Sequence, residues 1–354
     1  MQQQVYATPP EGRRSFVRQP AFDALKLFAI FLVLWGHTIH YGQSDHTGAN
    51  WVYSTIYSFH MPLFMMISGY FAAGSLRASA DKFLWRKFRQ LLLPWISWNL
   101  ALSLLLVAVA IVRTGNTNLL QLVQNHSIYL GLWFLKSCFV CFLLTYPLYH
   151  WGGGRWWLVV PMLFLSQCVP SFNLPLMFPS FIVGLELSRR ENWRRLLRQH
   201  YWWLGLAYLI LMCFWSPKGL HHWSVWEVRS ADMQTFCTEF FYQIYRIGVG
   251  IFGSLLCIGL FQRIFSREKV GKIAKTVCEW GQLTLGIYIL QTVFIETLMP
   301  RVVSFDSLPL PLFNFVVAPA VSMVALVAGV VVIRLISRSA VCAFLFFGKA
   351  LPKA

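Results

Sequence analysis

Asp23, Lys26 and His37 lie within one apolar run, Pro20 to Tyr41 (PAFDALKLFAIFLVLWGHTIHY), that is long enough to cross a bilayer. At about 3.6 residues per turn, the steps from Lys26 to His37 return to nearly the same helix face, roughly 16 Å apart along the axis. One face of one helix thus carries a cation near one membrane surface and an imidazole near the other. Ionisable groups are costly inside a membrane, so they mark a functional site with a partner by default. An imidazole can take and return a proton, and a cation can hold an anionic ligand. A Lys26 that snorkels to the interface and a His37 that only packs are the plainer alternatives.

Other apolar segments carry polar groups at a matching depth. Counted inward from the outer ends of their spans, His37 and Glu296 are about one turn deep, Arg246 about two, and His60, Lys136 and Gln291 two to three. Groups converging at one level from separate helices favour a polar cavity over isolated helix-pinning salt bridges. A second cluster, Arg86, Lys87 and Arg89, precedes LLLPW at the other membrane surface. Arginine binds an oxyanion through two donors and lysine as a point charge, so the trio with Lys26 suits a phosphate clamp. Topology or lipid headgroups ordinarily account for such a cluster.

These side chains need a helical frame inside a membrane. The chain of 354 residues is 57% hydrophobic and only 12% charged, too apolar for an ordinary soluble domain. The expected class is all-α: a polytopic membrane protein with about ten transmembrane helices, near 20–40, 51–73, 91–112, 127–149, 151–170, 172–188, 201–215, 239–262, 282–300 and 311–336. Both termini are expected in the cytoplasm. That placement leaves Arg113, Lys218, Arg229 and Arg301 in outer loops and most other cations inside. Residues 1–19 read as a retained cytoplasmic tail, 20–338 as the membrane domain and 339–354 as a second cytoplasmic tail. The +17 net charge is then a topology signal; no loop is large enough for a basic nucleic-acid module, so nucleic acid is not an expected partner. The pair Cys138 and Cys141 reads as packing within a span, and no metal-ligand spacing or phosphate-binding glycine loop is present.

In the second span, FHMPLFMMISGYF at 59–71 combines Pro62, which frees a backbone carbonyl, with Ser68-Gly69, which allows close helix approach. This motif, Lys26 and His37 with ten residues between them, the K-x-R of Lys87 and Arg89, Leu132-Trp133-Phe134-Leu135, and LGIYIL at 285–290 together resemble the acyltransferase-3 family of integral membrane O-acyltransferases. The FHMPLFMMISGYF motif is most similar to the fucose 4-O-acetylase-like members. The resemblance implies an acyl-CoA donor, usually acetyl-CoA, and a hydroxyl acceptor on a cell-surface glycan or its lipid-linked precursor, in the bacterial cytoplasmic membrane. It makes His37 the essential histidine, Lys26 the basic residue before it, and Lys87 and Arg89 the paired cytoplasmic cations. Gln291 stands where many relatives carry His. The esterase-like domain that some members append is not expected here.

The expected mechanism places the CoA phosphates at Lys26, Arg86, Lys87 and Arg89, with the pantetheine arm threading toward His37 as general base. Lys136, Arg246 or the indole N–H of Trp133 would stabilise the carbonyl oxyanion. Glu296 or Asp45 would orient the imidazole. Asp23, His60 and Trp133 are candidate substrate-binding residues, and no metal is called for. A covalent acyl-imidazole is the other chemical route. A secondary transporter or glycan-lipid flippase shares the broken helices and midplane charges, though not the K-x10-H spacing or the basic trio. A catalytically silent partner subunit is a third reading.

Overall fold

The computed structural model describes residues 19–43, 50–114, 131–169, 171–215, 233–265 and 272–351, and among these all regular structure is helical. The helices are α1 (Pro20–Gly42), α2 (Trp51–Tyr70), α3 (Ala80–Arg113), α4 (Trp133–His150), α5 (Trp156–Gln167) and α6 (Leu174–Arg189). They continue as α7 (Glu191–Met212), α8 (Met233–Ile264), α9 (Lys272–Trp280), α10 (Thr284–Val302), α11 (Leu310–Ile336) and α12 (Ala340–Phe347). Asp45 lies outside the described residues, as do residues 1–18 of the expected tail.

Among the described residues, five helices are long and apolar enough to cross a membrane: α1, α3, the Cys237–Ile264 part of α8, α10 and α11. By contrast, α5 has 12 residues, a rise of about 18 Å against a hydrocarbon core of roughly 30 Å. The peripheral faces are apolar and open, with Leu100, Leu104 and Leu105 of α3 exposed, as a lipid-facing surface requires.

At the centre, α1 packs against α2, α8, α9 and α11, and α2 packs against α6 and α8. Pro20 opens α1 where its missing N–H costs no helix bond, and Asp23 in the first turn complements the helix dipole. The α2–α6 contact is backbone to backbone. A Cβ at Gly69 would strike the carbonyl of Phe181, and one at Gly184 would strike the carbonyl of Met66. Small residues let membrane helices approach this closely, as the Ser68-Gly69 pair implied. Helix α2 runs on through Pro62, which packs against Gly250 of α8.

Among the described residues, three helices contain a π-helical turn: Phe88–Leu92 in α3, Thr292–Leu298 in α10 and Phe313–Val317 in α11. Such turns widen the helix locally and re-aim side chains, frequently at functional sites. Two of the three fall on residues singled out from the sequence, Arg89 and Glu296.

Candidate active site

The π-turn of α10 builds the first half of the site. In a regular α-helix, residues five apart point about 140° away from each other, whereas the i to i+5 pattern of a π-turn stacks them. Gln291 and Glu296 are therefore neighbours, and Gln291 Nε2 donates to Glu296 Oε1 at 2.9 Å. The same turn places Thr297 Oγ1 2.9 Å from the carbonyl of Thr292.

Across the helix interface, His37 Nδ1 stands 3.2 Å from the same Glu296 Oε1. The distance is that of an ion pair, but the ring lies off the line of a good hydrogen bond. Both side chains are mostly covered, with about one fifth of each exposed (20% and 23%). Rings surround the imidazole: Tyr41 at 6.0 Å and Tyr57 at 6.2 Å, with Tyr53 tilted against Tyr57 at 4.0 Å. His60 lies edge-on to Tyr57 at 4.7 Å and is buried. Its Nδ1 is 2.7 Å from the Ile56 carbonyl, which can only accept, so Nδ1 carries a hydrogen and Nε2 is left as the acceptor.

Hydrogen bonds at the His37 end hold α1 and the start of α2 against α11. Thr38 Oγ1 meets Ser322 Oγ at 3.1 Å, Trp35 Nε1 donates to the Asn314 carbonyl at 2.9 Å, and Asn50 and Asn314 bond reciprocally through their side chains. His37 thus sits on a helix pinned on the turns around it.

The second half of the site is a cavity of about 590 Å³ reached from the opposite end of the bundle. Lys26, Ile30 and Val33 form its α1 wall, and His37 is the next residue on that face, one turn or about 6 Å further along. Met61, Phe64, Phe134, Leu135 and Tyr288 line its apolar interior. Cations gather at the mouth. Lys87 is buried with its ammonium 3.4 Å from the centre of the Phe142 ring, and Arg89 has an Nε without a hydrogen-bond partner among the described residues. Lys26 Nζ lies 3.4 Å from Asp23 Oδ1 and 4.8 Å from the centre of the Phe71 ring. Desolvated cations facing an apolar cavity suit an anionic ligand with a long neutral portion.

Other sequence candidates lie elsewhere. Arg86 is exposed and does not line the cavity, because it falls on the outward face of the first turns of α3. Lys136 sits over the rings of Trp95 and Phe172, at 5.4 and 5.8 Å, on a different face of α4 from the cavity-lining Phe134 and Cys138. Trp133 is the first residue of α4, edge-on to Phe134 at 6.2 Å. Arg246 is buried on α8, one turn before the Gly250 that meets Pro62. Asp23 is Lys26's partner at the mouth.

Sequence reasoning missed four contributors. Tyr288 lines the cavity three residues before Gln291, inside the LGIYIL stretch that carried only a family signal. Tyr57 and Tyr41 stand against His37 and follow the helical spacing of their own spans. Lys349 lines the mouth from the segment read as a tail, with Nζ 2.9 Å from Ser337 Oγ. Gly348, at a φ of +62°, turns the chain there against the backbone of Arg89, where a Cβ would clash.

An all-helical membrane protein with an imidazole–carboxylate pair at one end and a cation-rimmed cavity at the other is the class that these features define. The chain matches the acyltransferase-3 family model, described as an acyltransferase domain, over residues 19–335, and it belongs to that family. It is similar to the nodulation protein NolL of Mesorhizobium japonicum, 29% identical over 206 residues that cover 56% of this chain and 55% of the relative. It is also similar to the nodulation protein NolL of Sinorhizobium fredii, 34% identical over 153 residues that cover 39% of this chain and 40% of that protein. The chain thus matches about half the length, or less, of these relatives. No solved structure matches it.

Proposed function

We propose that this chain is a membrane O-acyltransferase that moves an acyl group, in the first instance acetyl, from acyl-CoA to a hydroxyl of a cell-surface glycan or its lipid-linked precursor. In this reading the protein sits in the bacterial cytoplasmic membrane with ten spans, both termini cytoplasmic, and the Lys26 end of the bundle facing the cytoplasm. The observation that carries it is the single α1 face that runs from the cation-rimmed cavity mouth at Lys26 through Ile30 and Val33 to the His37–Glu296 pair.

Lys26, Lys87, Arg89 and Lys349 hold the donor phosphates, while the neutral pantetheine arm lies in the apolar cavity beside Phe134, Leu135 and Tyr288. Glu296, itself held by Gln291, orients His37 through Nδ1 and leaves Nε2 to act. Nε2 takes the proton of the acceptor hydroxyl as its oxygen attacks the thioester carbonyl. When the tetrahedral intermediate collapses, the C–S bond breaks and the imidazolium returns the proton to the departing CoA sulfur. Preorganised donors near the carbonyl oxygen lower this barrier most, and Tyr57, whose ring centre lies 6.2 Å from that of His37, joins Arg246 as a candidate for that task. Asp23 serves the site by fixing Lys26.

The deciding experiment incubates purified protein with radiolabelled acetyl-CoA and candidate glycans. Label appearing on the glycan with release of free CoA supports the reading; intact thioester in the presence of every acceptor tried, with transport of one of them, would replace it with a carrier.

A further inference from the structure

A second cavity, of about 570 Å³, opens at the Lys26 end of the bundle, away from the donor cavity, between the α4–α5 turn and the α6–α7 junction. Its polar rim is made by Arg155, Arg189 and Arg190 around one carboxylate, Glu186. Glu186 Oε1 accepts from Tyr149 Oη at 2.8 Å and Arg189 Nη1 at 3.2 Å, and its Oε2 accepts from Arg190 Nε at 2.8 Å. Arg189 Nη2 also donates to the Gly153 carbonyl at 3.2 Å. One carboxylate therefore aims two guanidinium groups without neutralising the three cations. The Arg155 side chain makes no hydrogen bond or ion pair among the described residues, and the Nη groups of Arg190 donate to nothing there.

The rest of the lining is mostly apolar. Trp156 is 76% exposed and Trp193 44% exposed, flanking the rim at the level where indoles anchor at a membrane interface. Val159 and Val160 form the wall below it, and the outward face of α5 continues with exposed Phe164. Helix α5, with 12 residues, is shorter than the hydrocarbon core is thick, so the surrounding bilayer must thin around it or fill the space beside it.

A basic rim above an apolar track is the chemistry of a phospholipid rather than of a free anion. We propose that this cavity binds the phosphodiester headgroup of an anionic phospholipid, at Arg155 and Arg190 with Arg189 behind them, and that one acyl chain lies along Val160 and Phe164.

The test titrates detergent-purified full-length protein with phosphatidylglycerol and with phosphatidylcholine of the same chains, and counts bound lipid by native mass spectrometry. Phosphatidylglycerol should bind roughly tenfold more tightly. Arg155→Gln with Arg190→Gln should erase that preference, while the charge-matched pair Arg195→Gln with Arg198→Gln on α7, outside the cavity, should keep it. Equal binding of the two lipids, or equal loss in both double variants, overturns the proposal. Displacement of the lipid by equimolar inorganic phosphate or CoA also overturns it and assigns the rim to a soluble anion. If the first double variant unfolds at a lower temperature than the native protein, Arg155→Gln alone carries the comparison, because its side chain bonds nothing that folding needs; roughly fivefold weaker phosphatidylglycerol binding is then expected, and unchanged binding contradicts the site.

Discussion

Nδ1 of His37 lies 3.2 Å from Oε1 of Glu296, bringing a residue of the first helix against one from near the far end of the chain. The contact exists because the π-turn at Thr292–Leu298 rotates Glu296 onto the face of Gln291, which holds the same carboxylate oxygen at 2.9 Å. In the proposed mechanism the carboxylate beside Nδ1 orients the imidazole and leaves Nε2 to act, which is the part of general-base catalysis that a protein can build in advance.

Glu296→Gln keeps the size of the side chain and removes its charge. Turnover should fall by about 10²-fold or more, with donor affinity unchanged, because the imidazole loses its orientation and the anion beside it. A variant with near-native turnover would reduce the pair to a helix-packing contact. Gln291→Ala should show a smaller loss in the same direction, since it frees Glu296 rather than removing it.

Lys87→Ala with Arg89→Ala bears on the opposite end of the cavity. Each lost charge-assisted contact costs about 1.5–3 kcal/mol, so KM for the acyl donor should rise at least about tenfold while kcat at saturating donor stays near native. Unchanged donor affinity, measured by equilibrium binding of labelled CoA, would return both cations to a topological role. Arg86→Ala, on an exposed side chain outside the cavity, is the control and should leave donor affinity unaltered.

The α1 face was legible in the sequence because 3.6-residue periodicity alone aligns Lys26 and His37, and a charge within an apolar run is too costly to stand there without a task. Depth counting likewise drew out Glu296. Depth carries no information on azimuth, however, and that is why Lys136, at a comparable level, sits over Trp95 and Phe172 and not in the cavity. The π-turns left no signal in hydropathy, so the Gln291–Glu296 contact, five residues apart, was invisible until the backbone was known. Lys349 was missed for a different reason: a short basic stretch after the last apolar run reads as a solvated end, and only Gly348, packed on Arg89, brings it back to the cavity mouth.

Gly184 and Gly248 separate close packing from helix flexibility. Gly184→Ala should lower the Tm by several degrees, because its new methyl meets the Met66 backbone and overpacking of this kind costs about 1–3 kcal/mol. Gly248→Ala meets nothing within 4 Å and gains helix propensity, so its Tm should hold or rise. Equal shifts in a thermal-unfolding assay would contradict the α2–α6 backbone contact.

The proposed orientation predicts reagent access. With native cysteines replaced, a cysteine at exposed Asp306 should react with an impermeant maleimide from outside intact cells, while one at exposed Asn192 should react only after the membrane is opened. External labelling at Asn192 would overturn the cytoplasmic placement of the Lys26 end.

The most direct measurement is single-turnover acyl transfer by purified, folded His37→Gln protein saturated with labelled acetyl-CoA and a competent acceptor. Glutamine keeps hydrogen-bonding capacity near that of the imidazole but cannot accept and return a proton at working pH. With His37 as the base, donor binding should stay close to native and the transfer rate should fall by about 10²–10⁴-fold. A transfer rate near that of the native protein would contradict this role and leave His37 as one of the residues that merely pack α1.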